Sequence, residues 1–151
     1  MRIVRATARD LDLVVPLFEG YLAFYKLSHD RAAMRSYLAS RIRRNEATVF
    51  LAIEGSGRAR RGLGFTLLYP TFSSLRMARA WVLNDLFVSP EARNRGVASA
   101  LMARAEQLAR STSAAYVALE TAQGNRSAQA LYEGRGWIRE RGFFHYSLDT
   151  R

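Results

Sequence analysis

The sequence contains no cysteine, a single lysine, two histidines and three prolines. The absence of cysteine excludes disulfides, thiolate metal sites and a cysteine nucleophile. No run of about 18 apolar residues is present, so we expect no membrane-spanning helix. The first ten residues, MRIVRATARD, lack the apolar stretch of a secretory signal, and we therefore expect a cytoplasmic protein. His29 and His145 are isolated and lack metal-ligand spacing, so no metal site is expected.

The composition is that of one globular domain. Hydrophobic residues make up 49% of the 151 residues, enough to bury a core without cross-links, and we expect a single domain over residues 1–151. The net charge is +10, and all but one of the 23 basic residues are arginine. Such a charge attracts nucleic acid, acidic membrane or a phosphorylated cofactor. An arginine-rich genome would produce the same excess without functional meaning.

Two amphipathic helices are predicted at the start of the chain. Residues 10–25 place apolar side chains at spacings of three and four, and residues 29–45 do so again with arginines on the outer face. Thr7 is expected to be the N-cap of the first helix, with Asp10 three residues later as a partial capping box.

The remaining chain is typical of a mixed α/β or α+β fold with one central sheet. Its expected strands are Ile3–Arg5, Thr48–Glu54, Leu63–Tyr69, Ala80–Val88, Ala115–Thr121, Trp137–Arg139 and Phe143–Leu148. Pro70–Ser74 is expected to be a loop. Two further helices are expected, one ending near Arg110 and one over Asn125–Glu133, where Gly134 and Gly136 stop it.

The segment SPEARNRGVASALM, residues 89–102, places positive charge and a bare backbone directly before a helix. The first turn of a helix has unpaired backbone N–H groups and a partial positive charge, which together bind anions. Gly96 and Ala98 would let a phosphate approach the backbone, and Arg93 and Arg95 add charge. The segment matches neither the Walker nor the GxGxxG pattern. A turn followed by a helix cap is the alternative interpretation.

Asn125 and Tyr132 lie seven residues apart on the last predicted helix. At about 100° per residue they share nearly one stripe of its surface. Asn125 can cap the helix or bind a ligand, and the phenol of Tyr132 can donate a proton. The alternative for Tyr132 is an aromatic core residue with its hydroxyl at the surface.

These pieces together resemble the cofactor half of the GNAT family of N-acetyltransferases. The matching segments are LNDLFV (83–88), SPEARNRGVASALM (89–102), VALETA (117–122) and NRSAQALYEGRGW (125–137). The stretches YLAFY (21–25) and YPTFSSLRMARAWVLNDLFV (69–88) resemble the branch that contains histone and polyamine acetyltransferases. The resemblance covers nearly the whole chain. It implies a mixed, mostly antiparallel sheet that is splayed between two strands and has helices on both faces.

The resemblance implies acetyl-CoA as co-substrate. Residues of three segments would bind it, with Leu86 N–H stabilising the oxyanion of the attacked thioester and Val88 pairing with the pantetheine arm. The implied cofactor-binding residues are Leu86, Phe87, Val88, Arg93, Asn94, Arg95, Gly96, Val97, Ala98, Ser99, Asn125, Ala128 and Tyr132.

The resemblance also implies direct attack by an amine, with Tyr132 protonating the leaving thiolate. The base is less defined. Polyamine-type relatives often carry glutamate where this chain has Asn84, and asparagine can only position a water. Strand alternation would put Asp85 on the opposite face, as a base or as the buried partner of an arginine. Glu120 on the neighbouring strand and Glu19 are further candidates, and a neutral amine or a water chain would need none.

The acceptor is expected to be a small-molecule amine or a protein or peptide amine, bound near Tyr21, Tyr25 and Phe72. Phe24 is expected in the core. The aromatic strand FFHYSL at residues 143–148, next to Trp137, predicts a homodimer, because an apolar edge strand needs covering. No membrane partner is expected. The alternative functions are an acetyl-CoA sensor without turnover and, with less support, a basic nucleic-acid-binding protein.

Overall fold

A computed structural model describes all 151 residues. The helices are α1 (Leu11–Phe24), α2 (Arg31–Arg43), α3 (Val97–Ser111) and α4 (Arg126–Gly134). The strands are β1 (Arg2–Arg5), β2 (Thr48–Glu54), β3 (Arg61–Ser73), β4 (Ala78–Val88) and β5 (Val117–Ala118). Contacts divide the chain into two compact units, residues 1–119 and 120–151. The expectation of one catalytic domain over 1–151 stays a prediction.

The larger unit is built on one five-stranded sheet in the order β1-β2-β3-β4-β5. The pairs β1–β2, β2–β3 and β3–β4 are antiparallel, and β5 runs parallel to β4. α1 and α2 pack on one face, over a core that includes Val49, Leu51, Phe65 and Leu67. α3 contacts β2, β3 and β4, and its Arg104 lies over the ring of Phe50, which alternates with these core residues along β2. The predicted fold class, with helices on both faces, is confirmed.

The start of α1 follows its sequence pattern. The Thr7 side chain accepts a hydrogen bond from Arg9 N–H, while the Asp10 carboxylate accepts one from Thr7 N–H at 2.8 Å. This capping box closes a short 3₁₀ turn that leads into α1, where the apolar positions Leu11, Val14 and Leu17 are buried. The cap and the helical period therefore agree on where α1 begins and which face it buries.

β4 and β5 are joined over only two residue pairs, Trp81 with Val117 and Val82 with Ala118. β4 continues to Val88, so beyond Val82 it has β3 on one side and no strand on the other. This is the splay between two strands that the resemblance implied. It leaves backbone polar groups of β4 available to another molecule.

The expected loop at 70–74 is wrong, because β3 runs through Pro70 to Ser73. Trp81, which lies opposite Pro70, donates its N–H to Tyr116 O at 3.1 Å, away from β3. The nitrogen side of Pro70 therefore faces away from β4. β2 begins only at Thr48, opposite Leu68, so no strand needs a donor from Pro70.

Three other strand predictions are corrected by the structure. The strand expected over 115–121 is confined to Val117–Ala118. No strand forms over Trp137–Arg139 or Phe143–Leu148. A strand exists only where a neighbour takes up its hydrogen bonds, and the pattern of side chains does not reveal the neighbour. In the smaller unit, residues 138–151 follow α4 without regular structure and are all exposed.

Candidate active site

The centre of the site is a β-bulge in β4. Leu67 lies opposite Asp85 and Leu68 lies opposite Leu83, so Asn84 is the extra residue with no partner on β3. The Asn84 side-chain nitrogen donates to Asp85 Oδ1 at 2.9 Å. The two side chains therefore lie together, and the expectation that alternation puts them on opposite faces is wrong. The bulge interrupts the period of two at this residue.

Asp85 is a buried carboxylate without a cation. The residue is 4% exposed and forms no ion pair. Burial raises the pKa of its carboxyl, and hydrogen bonds from Asn84 and Tyr21 offset part of that increase. The interpretation of Asp85 as the partner of an arginine is therefore wrong. A carboxylate with a raised pKa is better matched to proton transfer near neutral pH than an ordinary one.

Tyrosines surround this carboxylate. Tyr21 donates its hydroxyl to Asn84 O at 3.3 Å, and its ring meets that of Tyr25 edge-to-face at 5.2 Å between centroids. The hydroxyls of Tyr37 and Tyr69 are 2.6 Å apart. Burial, together with the nearby Asp85 charge, raises the pKa of both Tyr21 and Tyr69. Both phenols therefore stay protonated and can act as hydrogen-bond donors.

The expected acceptor residues do not all come together. Tyr25 is partly exposed beside Tyr21, as an acceptor site would need. Phe24 is 60% exposed, so its assignment to the core is wrong. Phe72 pairs with Arg79, five residues along β4 from Asn84, which is about 17 Å along a strand. Phe72 therefore lies at the far end of the β3–β4 hairpin from the bulge.

The open edge of β4 presents two residues. Ser89 N–H donates to Leu63 O at 2.9 Å, which sets the alternation of the antiparallel ladder. Residues 85 and 87 then direct their backbone groups to β3, while Leu86 and Val88 direct theirs to the side without a strand. Arg93 Nε–H donates a hydrogen bond to Val88 O at 3.2 Å. Leu86 N–H and C=O and Val88 N–H are left as edge groups for a ligand.

The turn after β4 ends in a helix start with no side-chain cap. Gly96 is the N-cap of α3, with φ of 76°, and Asn94 has φ of 60°. A side chain at Gly96 would meet no atom within 4 Å, so the space beside it is open. The N–H groups of Val97 and Ala98 belong to the first turn and have no carbonyl of their own helix to bind. This arrangement satisfies the geometry of an anion site.

The two arginines of this turn differ. Arg93 lies over the ring of Phe87, with its guanidinium 6.0 Å from the ring centroid, and bonds Val88 O. Arg95 is paired with Glu54 at 2.7 Å, and Arg61 binds the same carboxylate. Arg95 therefore contributes less free positive charge than the sequence alone indicated, and Glu54 ties the turn to the end of β2.

The other carboxylates expected as bases are placed differently from Asp85. Glu19 is held by Arg31 through two contacts of 3.1 Å, which lower the pKa of its carboxyl. Glu120 follows the end of β5, is exposed, and lies 3.5 Å from His145 Nδ1. A carboxylate held by a guanidinium, as Glu19 is, has little tendency to take a proton at neutral pH.

The smaller unit carries the last two motif residues on α4. Asn125 is its N-cap, and Asn125 Oδ1 accepts from Ala128 N–H at 3.3 Å. The amide nitrogen of Asn125 remains a donor. The Tyr132 ring lies 6.3 Å from that of Trp137, centroid to centroid. The predicted capping role of Asn125 is confirmed, and its cofactor role stays a prediction.

Comparison with known proteins decides the family. The family model described as the acetyltransferase (GNAT) family matches residues 14–137. The chain belongs to the GNAT acetyltransferase family. Among its GNAT relatives is the Bacillus subtilis protein named uncharacterized N-acetyltransferase YhfO, 38% identical over 150 residues, 99% of this chain and 98% of that protein. A probable acetyltransferase of Haemophilus influenzae is 29% identical over 127 residues, 84% of this chain and 85% of that one.

A solved structure supports the same family assignment. The crystal structure of a probable acetyltransferase is 41% identical, covers 100% of this chain and 99% of its own, and superposes with a TM-score of 0.92. Two further properties of this GNAT protein follow from its own coordinates. No helix combines the length and apolarity needed to cross a membrane. No three His, Cys, Asp or Glu residues are grouped as metal ligands.

Sequence reasoning missed three features of the site: the bulge at Asn84, the Tyr37–Tyr69 pair and the Glu54 anchor of Arg95. Tyr37 lies on α2 and Tyr69 on β3, 32 residues apart in the sequence, and only the fold brings their hydroxyls together. A signal for the bulge existed, because Asn84-Asp85 is a polar pair in the middle of an otherwise apolar strand. In a regular strand successive side chains point to opposite faces, so one of two adjacent polar residues would face the core.

Proposed function

We propose that this GNAT protein transfers an acetyl group from acetyl-CoA to a primary amine, which attacks directly. The observation that carries the proposal is the open edge of β4 at Leu86 and Val88, which leads into the uncapped, glycine-initiated start of α3. In a chain of this family, the two together have the donors that an extended amide arm followed by a pyrophosphate requires.

The residues present fit acetyl-CoA, which would supply the activated acetyl group as a thioester. Gly96 would leave the helix start without a side chain for phosphate, with the N–H groups of Val97 and Ala98 as donors and the Arg93 charge nearby. Asn94 and Arg95 shape the same turn. On β4, Val88 would pair with the amide arm, and Leu86 N–H would donate to the thioester carbonyl oxygen. Phe87 points the other way, toward Gly20 of α1.

Asp85 is proposed as the group that receives the proton of the acceptor amine. An alkylamine is protonated near neutral pH and must lose a proton before it can attack. Since Asp85 is nearly inaccessible, we assign the transfer to a water positioned by the Asn84 side chain. Tyr21, which stays protonated, would orient the carboxylate. Asn84 thus acts through its neighbour and needs no basicity of its own.

Tyr132 is proposed as the general acid that protonates the departing thiolate. This role, like the contacts of Asn125 and Ala128 with the cofactor arm, rests on the family motif NRSAQALYEGRGW. Glu120 is not needed in this scheme, because Asp85 is better suited by its environment.

The acceptor would enter beside Tyr21 and Tyr25, whose rings offer an apolar wall with hydroxyls at its edge. The proposed acceptor is a small-molecule amine or an amine of a protein or peptide. Membership of the histone and polyamine branch is part of the same proposal. Phe72 is not part of the proposed acceptor site, because it lies at the far end of the β3–β4 hairpin from the bulge at Asn84.

Steady-state consumption of acetyl-CoA with a panel of amines tests the proposal. The expected result is turnover that requires an amine and is lost in Asp85→Asn. The second candidate function, a sensor that binds acetyl-CoA without turnover, is favoured by the asparagine at position 84. It would be supported by tight binding of acetyl-CoA with no amine-dependent consumption.

A further inference from the structure

Tyr37, Tyr69 and Arg41 form a cluster of hydrogen-bond donors for which the proposed reaction has no use, and we call it the distal donor cluster. The hydroxyls of Tyr37 and Tyr69 are 2.6 Å apart, and the Arg41 guanidinium lies 5.0 Å from the centroid of the Tyr37 ring. One hydroxyl donates to the other, so the second O–H group is left to donate elsewhere. The cluster therefore offers a hydroxyl donor and a cation side by side.

Arg41 is only partly engaged by the protein itself. Its side chain is 24% exposed, and its one ion pair, with Glu46, is long at 3.4 Å. Its Nε is buried and has no hydrogen-bond partner. A guanidinium has five N–H donors in a planar fork, and this fork matches the two oxygens of a carboxylate. A half-buried arginine with unused donors is therefore suited to bind a carboxylate from outside the chain.

The distal donor cluster lies on the same face of the sheet as Asp85. Asp85 is paired with Leu67 on β3, and Tyr69 comes two residues after Leu67, so their side chains share one face. Burial and the hydrogen bond with Tyr37 raise the pKa of Tyr69. The Asp85 charge raises this pKa further and the Arg41 charge lowers it, so the hydroxyl lies close to both. Two residues of a strand place the cluster about 7 Å from Asp85 along β3.

The two ends of this region carry opposite charges. Asp85 is the one carboxylate whose charge, after burial, raises the pKa of Tyr21 and Tyr69. At the other end stands the cation Arg41, in a chain whose net charge is +10. A polyamine with its reacting amine at Asp85 would bring a second ammonium against Arg41, and like charges in contact oppose binding. An acceptor with a carboxylate at that end would be attracted instead.

We propose that the distal donor cluster binds a carboxylate at the far end of the acceptor, and that the preferred acceptor is an ω-amino carboxylate. Three backbone bonds span about 3.8 Å, so a gap of about 7 Å corresponds to about five or six bonds between the amine and the carboxylate. Arg41 and the two hydroxyls then determine specificity and take no part in the transfer of the acetyl group. This assignment rests on the proposed acetyl transfer, because Asp85 is taken as the end that receives the amine.

Consumption of acetyl-CoA with a matched series of amines tests the specificity. 6-Aminohexanoate has the carboxylate at the expected separation, hexylamine lacks it, 1,6-diaminohexane replaces it with an ammonium, and glycine has it beside the amine. The value of kcat/KM for 6-aminohexanoate is expected to exceed that for each of the others at least about tenfold, because a carboxylate bound by a guanidinium forms strong, charge-assisted hydrogen bonds. Equal or better turnover of hexylamine or 1,6-diaminohexane would overturn the proposal.

Two variants and a control assign this preference to the cluster. Arg41→Gln should abolish the preference for 6-aminohexanoate over hexylamine, and Tyr37→Phe should reduce it. Arg43→Gln removes the same charge from an exposed position of α2 that forms no ion pair, and it should keep the preference. The ratio of the two substrates is the decisive readout, since a distorted site would lose activity with both. An unchanged ratio in Arg41→Gln would contradict the proposal.

Isothermal titration calorimetry with 6-aminohexanoate separates this proposal from the proposed acetyl transfer. CoA is present in place of acetyl-CoA, so that binding is measured without a reaction. The wild type is expected to bind 6-aminohexanoate at least about tenfold more tightly than Arg41→Gln does. Binding that depends on Arg41, with no amine acetylated, would refute the acetyl transfer and leave the carboxylate site in place. No binding, or equal binding by the wild type and Arg41→Gln, would refute the carboxylate site even if other amines are acetylated.

Discussion

At the scale of single residues, Asp85 is the most informative position. It combines burial, a bulge that brings Asn84 beside it, and the lack of a cation in a chain rich in arginine. Leaving a carboxylate in this state costs folding free energy, because the charged form is desolvated. A buried carboxylate that destabilises the fold in this way is a candidate for a catalytic role rather than a stabilising one.

Asp85→Asn is expected to abolish amine-dependent turnover without destabilising the fold at neutral pH. The raised pKa means that the folded state holds the proton more tightly than the unfolded state does. In the wild type, Asp85 therefore adds to the free energy of unfolding fully at a pH below the ordinary carboxyl pKa. This contribution is lost as the pH rises through the raised pKa. The free energy of unfolding of Asp85→Asn should not show this decrease with pH. Urea unfolding of both proteins across a pH series measures the difference.

Asp12→Asn is the matched control, since Asp12 is exposed and paired with Arg35 at 2.6 Å. Its removal should change the free energy of unfolding by about 0–1 kcal/mol and leave turnover intact. If Asp85→Asn were strongly destabilised at neutral pH instead, Asp85 would be a structural group and the proposed base would have to be sought elsewhere.

Tyr132→Phe is expected to lower kcat and kcat/KM together, by at least about tenfold, while acetyl-CoA affinity stays nearly constant. The ring still fills its place and only the proton donor is removed; general acid catalysis is commonly worth about 10²–10⁴-fold. Steady-state kinetics and a binding titration measure the two effects. An unchanged kcat would mean that the thiolate leaves unaided or takes its proton from water.

At the scale of elements, the helices were predictable and the strands were predictable only in part. The capping box at Thr7 and Asp10 and the apolar period of α1 act locally, so the sequence alone is sufficient to find them. Pro70 was expected to end a strand, but it lies where the ladder needs no donor. Whether residues 115–121 and 143–148 form strands depends on a neighbour, and a sequence read alone does not identify that neighbour.

In the candidate site, too, local features could be predicted from the sequence and contacts between distant residues could not. The turn from Arg93 to Gly96 was found from its residue types, because an anion site at a helix start depends on adjacent residues. The contact of Tyr21 with Asn84 O and that of Arg95 with Glu54 join residues 63 and 41 positions apart. Contacts of this kind depend on sheet register and helix packing, and the bulge that sets the register at Asn84 is visible only in the ladder.

Gly96→Glu is expected to remove the stabilisation of the fold by acetyl-CoA. The substitution puts bulk and negative charge at the start of α3, and its φ of 76° is also unfavourable for a side chain. For the wild type, acetyl-CoA at 100 times its Kd should raise the free energy of unfolding by roughly 2.7 kcal/mol. Thermal unfolding with and without acetyl-CoA measures this.

Gly57→Glu separates backbone strain from the loss of binding. Gly57 also has a positive φ, of 54°, and open space around its Cβ position, but it lies in the turn between β2 and β3. It should lower stability to a similar degree and keep the acetyl-CoA shift. An equal shift in Gly96→Glu and the wild type would show that the phosphates bind elsewhere.

At the scale of the whole molecule, the net charge of +10 comes from arginines that are scattered along the sequence. Acidic residues pair with several of the arginines, among them Arg31, Arg35, Arg60, Arg61 and Arg95. The sequence carries no nucleic-acid-binding motif of the helix-turn-helix, RRM or zinc-finger type. The excess charge therefore suits attraction of a multiply charged cofactor better than a built nucleic-acid interface.

Duplex DNA is accordingly expected to bind only at low salt. Contacts with phosphates alone weaken steeply with salt, by orders of magnitude between about 50 and 200 mM for a protein with several such contacts. Fluorescence anisotropy with two unrelated duplexes should show equal, salt-sensitive binding. Tight binding to one sequence at moderate salt would favour the nucleic-acid function instead.

Acetyl transfer to an amine can be followed by mass spectrometry of the products. The wild type is incubated with isotopically labelled acetyl-CoA and a mixture of small amines, amino acids, polyamines and peptides. At least one amine is expected to acquire the labelled acetyl group, whereas Asp85→Asn at equal concentration should produce none above the enzyme-free sample. Binding of acetyl-CoA with no labelled amine, or with free acetate as the sole labelled product, would contradict it.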